Sequence, residues 1–319
     1  MTTENPTGSI DVSFSSYLKN RKAKTETHME KGIPDYAYAV DYAMRQKIRA
    51  MPGAYAFFKA LTSQVVPKIK QEKNLRGLKV GPTQFSDVYE QTVECARLLG
   101  IGIPTVYIEN DPTLNAYTYA MEDDAPMIVI HSGLLERLTP GELKAVIGHE
   151  CGHIHNNHSI YDIAANIILQ SLAISIPIVA QILNLVSAPL RLALLAWSRA
   201  GEVTCDRAAV ICCDDPRDAI MANAKALFGA AFNRDGINIE AVLKQYDMLR
   251  STPVRILELT STHPIPVRRI FAEQAFLDSE VLYSWRPDWK EPGKKLISKQ
   301  ELDARCEKYI GVVKSEKRR

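Results

Sequence analysis

Residues 139–153 read Thr-Pro-Gly-Glu-Leu-Lys-Ala-Val-Ile-Gly-His-Glu-Cys-Gly-His. The first four predict a helix start. Thr139 is a hydroxyl N-cap, Pro140 has its φ preset for the first helical position, and Glu142 closes a capping box. Leu143, Val146 and Ile147 follow as an apolar series that holds the helix against neighbouring strands. The end of the stretch carries chemistry. On a helix, residues four apart lie about 40° apart around the axis and one turn up. His149 and His153 therefore present two imidazoles on one face, at the spacing of a metal-binding pair, with Glu150 beside them within reach of a metal-held water.

Working outward, the N-terminal side predicts helices over 35–50 and 54–72, broken at Met51-Pro52-Gly53. Ser86 can cap a third helix that ends at Gly100. Three short β-branched or aromatic runs come next, Thr105–Glu109, Ala116–Met121 and Met127–His131, and read as a small sheet. From Gly133 onward the pattern is helical. The fold class is α+β, mostly α-helical, with the small sheet packed on the histidine helix. Residues 1–33 form a polar arm, in which Ile10, Val12 and Phe14 alternate as a docked strand or stay flexible. Residues 34–85 form a helical N-terminal extension, 86–285 the domain that carries the histidine pair, and 286–319 a C-terminal helix and basic tail.

Two histidines and a nearby glutamate need a third ligand. An HxxGxxH continuation is excluded, because Asn156 and Ser159 stand at the required positions. An upstream cysteine ligand is disfavoured, because Cys95 lies in a helical pattern. A later helix offers Glu202 and Asp206, four apart on one face of Ser-Arg-Ala-Gly-Glu-Val-Thr-Cys-Asp-Arg-Ala (198–208). Glu202 can complete a His2Glu site, and Asp206 can accept a hydrogen bond from a ligand imidazole. Taken alone, the pair fits a solvated acidic face beside Arg199 and Arg207 better. His155 and His158 fall roughly 200° and 140° around the helix from His153, off the metal face.

Taken in order, Asn115-Ala116-Tyr117, the stretch from Leu135 to Ser159, the Glu202–Asp206 pair and Thr262-His263-Pro264 with Arg269 resemble the HtpX-like and CAAX-prenyl-protease-like zinc metallopeptidases, over about residues 90–275. The resemblance implies a zincin-like catalytic domain. It implies one Zn2+ per chain held by His149, His153 and Glu202, supported by Asp206 and Arg269, with Glu150 as general base. It also implies an edge strand at Asn115, Ala116 and Tyr117 that pairs with an extended protein or peptide substrate. By the same resemblance His263 donates to the oxyanion; as a plain residue before proline it also fits a structural loop. Protein quality control or processing enters by family analogy. The alternatives are a zinc-bearing scaffold without turnover and a membrane-associated peptidase for lipidated tails. Cys205 stands where the family usually has alanine, a small exchange. Residues 1–85 lack the membrane helices of HtpX-type proteins.

Composition bounds the partners. The 319 residues carry 39 basic and 37 acidic side chains, a net +2, which argues against nucleic acid. Six cysteines without a CxxC pair suit reduced thiols in a cytoplasmic protein, and the N-terminus predicts no signal peptide. One stretch departs from the average: no charged residue occurs from Ile163 to Leu190. A single membrane crossing there would put the histidine helix and Glu202 on opposite sides. The stretch 163–197 must therefore be a hairpin turning near Pro177. Each arm has about 15 residues, or roughly 22 Å of helix, against a hydrocarbon core of about 30 Å. The expectation is a buried or homo-oligomeric hairpin, an interfacial membrane dip, or a re-entrant loop.

Overall fold

A computed structural model describes residues 28–30, 32–121, 124–170, 188–228, 238–247 and 266–310. A two-stranded hairpin, β1 (Met29–Glu30) with β2 (Ile33–Pro34), precedes two helices, α1 (Ala39–Ala50) and α2 (Ala54–Arg76). Gly53, at φ 73°, makes the break between them, a left-handed position that suits glycine. Strand β3 (Leu78–Lys79) leads to α3 (Ser86–Leu99), which Gly100 ends in the left-handed region at φ 69°. Ser86 is not the cap of this helix: it is the first helical residue, and Phe85 occupies the N-cap position without a side-chain cap bond.

Strands β4 (Thr105–Glu109), β5 (Ala116–Met121) and β6 (Asp124–His131) complete a four-stranded sheet of order β3-β4-β6-β5. β4 runs parallel to β6, and β5 runs antiparallel to β6 at the sheet edge. The sheet is covered on both faces. Val106, Ile108, Ile128 and Ile130 point into the main core, while Tyr107, Met127 and Val129 form a second cluster with Tyr117 and Tyr119. β6 thus reads as a continuous apolar run because neither face is solvated.

A short helix α4 (Ser132–Arg137) precedes α5 (Pro140–His155), the histidine helix. Its capping box forms: the Glu142 amide donates to Thr139 Oγ1 at 3.3 Å, and the Thr139 amide donates to Glu142 at 2.8 Å. Glu142 is buried and accepts from Lys225 Nζ at 2.7 Å, so the box is tied into the core. After α6 (Ser159–Gln170) comes α7 (Ala188–Cys212), which packs along α5. Two glycines permit that approach. A Cβ at Gly148 would lie 2.6 Å from Cys212 Cβ, and one at Gly152 2.8 Å from Ala208 Cβ. Helices α8 (Pro216–Phe228), α9 (Ile239–Asp247), α10 (Pro266–Phe276), α11 (Glu280–Trp285) and α12 (Lys299–Ile310) complete the domain, with α8 packed on α5 and α10 on α7.

The N-terminal helices join this body. Ile48 and Phe58 pack with Tyr161, Leu194 and Trp197 in one apolar cluster. Burial of such side chains stabilises by about 1.5–3 kcal/mol each. Of the stretch 163–197, only the ends, in α6 and α7, are described. The position of the expected turn near Pro177 lies outside the described residues, as do the Ile10–Phe14 segment, Thr262-His263-Pro264 and the basic tail. Among the described residues, no helix is long and apolar enough to cross a membrane.

Candidate metal centre

The capping box fixes where α5 starts, and its register then sets the histidines. His149 and His153 face a cleft of about 680 Å3, bounded by α5, α7 and the edge strand β5. Their Nε2 atoms lie 3.3 Å apart. Glu202 reaches them from α7, with Oε2 3.6 Å from His149 Nε2 and Oε1 3.8 Å from His153 Nε2. Glu202 and Asp206 are only 4% and 1% exposed. They are not a solvated acidic face.

The nitrogens that point away from this meeting place are each held by a carboxylate. Asp206 lies 3.1 Å from His149 Nδ1, and Asp162 lies 3.0 Å from His153 Nδ1. Such contacts fix the ring tautomer and leave the Nε2 lone pairs toward the cleft. Arg269, on α10, supports both acids. Its Nε and Nη2 bind Asp206 at 2.8 and 2.5 Å, and its Nη1 lies 3.0 Å from Glu202. Burial alone would raise the Asp206 carboxyl, but the Arg269 guanidinium and the His149 ring outweigh it and hold the group below its usual range. Glu273 is raised well above its range, first by burial and then by the nearby Asp206 charge.

Glu150 sits in the same cleft. Thr118 Oγ1, on β5, donates to its Oε2 at 2.7 Å. The backbone of β5 is aligned along this cleft. Asn115, just before the strand, accepts from the His131 amide at 3.0 Å, which makes Asn115 and His131 a hydrogen-bonded pair. In an antiparallel ladder the alternate residues then point outward. The amides and carbonyls of Ala116 and Thr118 are therefore directed to the open side. Tyr117, between them, turns its ring to the other face of the sheet, where its hydroxyl donates to Glu109 at 2.6 Å.

Two further donor sets lie close by: His149, His153 and Cys205, and His153, His158 and Asp162. The second gathers on His153 Nδ1, which His158 Nδ1 approaches to 3.3 Å. Neither matches the cleft as well. Cys205 and His158 are fully buried and do not line it, and burial pushes the Cys205 thiol up to about 12. The chemistry of the Nε2 set fits zinc: two neutral imidazoles and one carboxylate leave a coordination position open.

Sequence reasoning missed Thr118 and Asp162. Strand alternation places Thr118 opposite the tyrosines, which was a signal of its face. Asp162 is the last charge before the charge-free stretch, a position that invites a partner.

Comparison with known proteins gives the family. The profile of peptidase family M48 matches residues 82–275. The chain is 34% identical over 244 residues to the plastoglobule-localized metallopeptidase 48, chloroplastic, of Arabidopsis thaliana, covering 74% of this chain and 70% of that protein. It is 36% identical over 97 residues to a protease HtpX homolog of Streptococcus uberis, covering 30% of this chain and 31% of that protein. It is also 35% identical over 92 residues to the protease HtpX of Nitrosococcus oceani, again 31% of the relative's length. The chain belongs to peptidase family M48 and is an HtpX-like zinc metallopeptidase, a hydrolase of protein or peptide substrates.

Proposed function

We propose that the protein is an endopeptidase with one zinc per chain, held by His149 Nε2, His153 Nε2 and Glu202. The carrying observation is the convergence of these donors within 3.3–3.8 Å beside Glu150 in an open cleft. When bound, zinc supplies Lewis acidity, which acidifies a water and polarises a carbonyl. The chain's own groups do the rest. Glu150 takes the proton of the attacking water and hands it to the departing amine. Thr118 orients the Glu150 carboxylate, while Asp206, Asp162 and Arg269 hold the ligands. The substrate lies extended along Asn115, Ala116 and Tyr117, pairing with the outward amides and carbonyls of β5. His263, on the family resemblance of Thr262-His263-Pro264, donates to the oxyanion.

The test is metal analysis together with peptide hydrolysis by the wild type and by Glu150→Gln. The variant should keep one zinc and lose hydrolysis by 10²-fold or more. Wild-type rates in Glu150→Gln would sink the mechanism. A protein without zinc would sink the site.

A further inference from the structure

The cleft has a wall that lies outside the family-matched segment of residues 82–275. Helix α2 contributes Val65, Ile69 and Lys73, spaced i, i+4, i+8 and therefore one stripe. All three are half-buried and line the same cleft as His149 and Glu150. The stripe crosses the sheet face opposite α5. There Val65 packs near Tyr119, and Lys73 Nζ lies 5.7 Å from the centre of the Tyr117 ring.

The charge on the stripe is matched internally. Lys73 Nζ donates to both Glu109 oxygens at 2.7 and 2.8 Å, and Tyr117 donates to the same carboxylate. The part of α2 left to meet a ligand is apolar. A peptide laid along β5 alternates its side chains between the two faces of the sheet. One set points to the metal side; the other points to α2.

We propose that Val65 and Ile69 select the substrate, forming a subsite on the α2 side of β5 that takes an aliphatic or aromatic side chain and rejects a charged one. A charged side chain entering it would lose hydration against Val65 and Ile69, and Lys73 beside them is already held by Glu109. The selection rests on the metallopeptidase function of the cleft, but it acts at binding and can be read without turnover.

The experiment uses zinc-loaded full-length Glu150→Gln and fluorescence anisotropy of extended peptides. The peptides are identical except for Leu or Asp at each successive position. At one position Leu should be preferred at least tenfold. Adding Ile69→Lys should abolish or reverse that preference at that position alone, and Ile69→Ala should weaken it several-fold. Leu75→Lys, on an exposed part of the same helix, should leave it unchanged. Circular dichroism and zinc content check that each variant is folded. Equal Leu/Asp discrimination in Glu150→Gln with and without the Ile69 changes would overturn the subsite, as would absence of peptide binding. Wild-type turnover of the same peptides is assayed separately. Discrimination without turnover would leave the subsite standing and sink only the peptidase mechanism.

Discussion

Asp41 of α1 and His158, in the turn between α5 and α6, meet at 3.0 Å with both side chains fully buried. Asp41 also accepts from Trp197 Nε1 at 2.9 Å and Thr204 Oγ1 at 2.8 Å, and pairs with Arg45 at 3.0 Å. The other nitrogen of His158 lies 3.3 Å from His153 Nδ1. The N-terminal extension thus reaches a proposed metal ligand through two side chains, and helps to build the site rather than merely preceding it.

Asp41→Ala should cost about 3–5 kcal/mol, the usual penalty for removing one partner of a buried ion pair. It strands Arg45, the Trp197 N–H and His158 together. Asp41→Asn keeps the volume and part of the hydrogen bonding, so it should cost less. Urea unfolding of both variants against the wild type measures the difference. A loss below about 1 kcal/mol for Asp41→Ala would show that the network does not support the fold.

His158 makes that network pH-dependent. Burial lowers its pKa, and the Asp41 charge opposes this only in part; Arg45 and His153 add to the lowering. A depressed folded value means that the stability from neutral His158 is present above its unfolded pKa of about 6.5, and is lost as pH falls below it. The destabilisation caused by His158→Gln, measured by urea with chelator present, should therefore be larger at pH 7.5 than at pH 5.5. Taking the difference between the two proteins matters because His153 titrates in the opposite sense. Burial lowers its pKa, but Cys205 and Asp162 outweigh burial and raise it. A difference that grows toward acid would reverse the assignment.

These contacts also mark how far the sequence could be read. The α5 helix was legible because its signals are local: a capping box at Thr139, an apolar stripe, and two histidines one turn apart. Strands β4 to β6 were legible for the same reason, while β3, at two residues, is too short to show a period. Phe85 displaced Ser86 as the N-cap residue because its backbone takes the left-handed conformation, which composition does not announce. Glu202 and Asp206 could be paired by spacing, but their burial depends on Arg269 arriving from 63 residues beyond Asp206. Asp41 carried no signal at all. Its partners His158, Trp197 and Thr204 lie 117 to 163 residues away, and only tertiary packing assembles them.

Thr118→Val tests the orientation of the proposed base. The exchange keeps shape and β-propensity while deleting the 2.7 Å donor to Glu150. A neutral donor to a charged acceptor is worth about 1.5–3 kcal/mol. Only part of it should be realised in the transition state, so kcat should fall roughly tenfold with zinc content unchanged. Steady-state kinetics on one peptide, with metal analysis, decides. An unchanged kcat would mean that Glu150 is positioned by α5 alone.

Gly152→Ala tests whether the close approach of α5 to α7 sets the ligand geometry. Intrinsic helix propensity favours the alanine by about 1 kcal/mol. Against this, the new Cβ would lie 2.8 Å from Ala208 Cβ and 3.1 Å from Cys205 Cα, neither of which can swing aside. Overpacking of this kind costs about 1–3 kcal/mol, so the net effect should be destabilising. Relief requires α7 to move outward, and Glu202 lies on α7 about one turn before Cys205 and nearly two before Ala208. Zinc affinity, measured by chelator competition, should therefore fall together with stability, by tenfold or more. Lower stability with unchanged zinc affinity would show that Glu202 does not depend on the helix spacing.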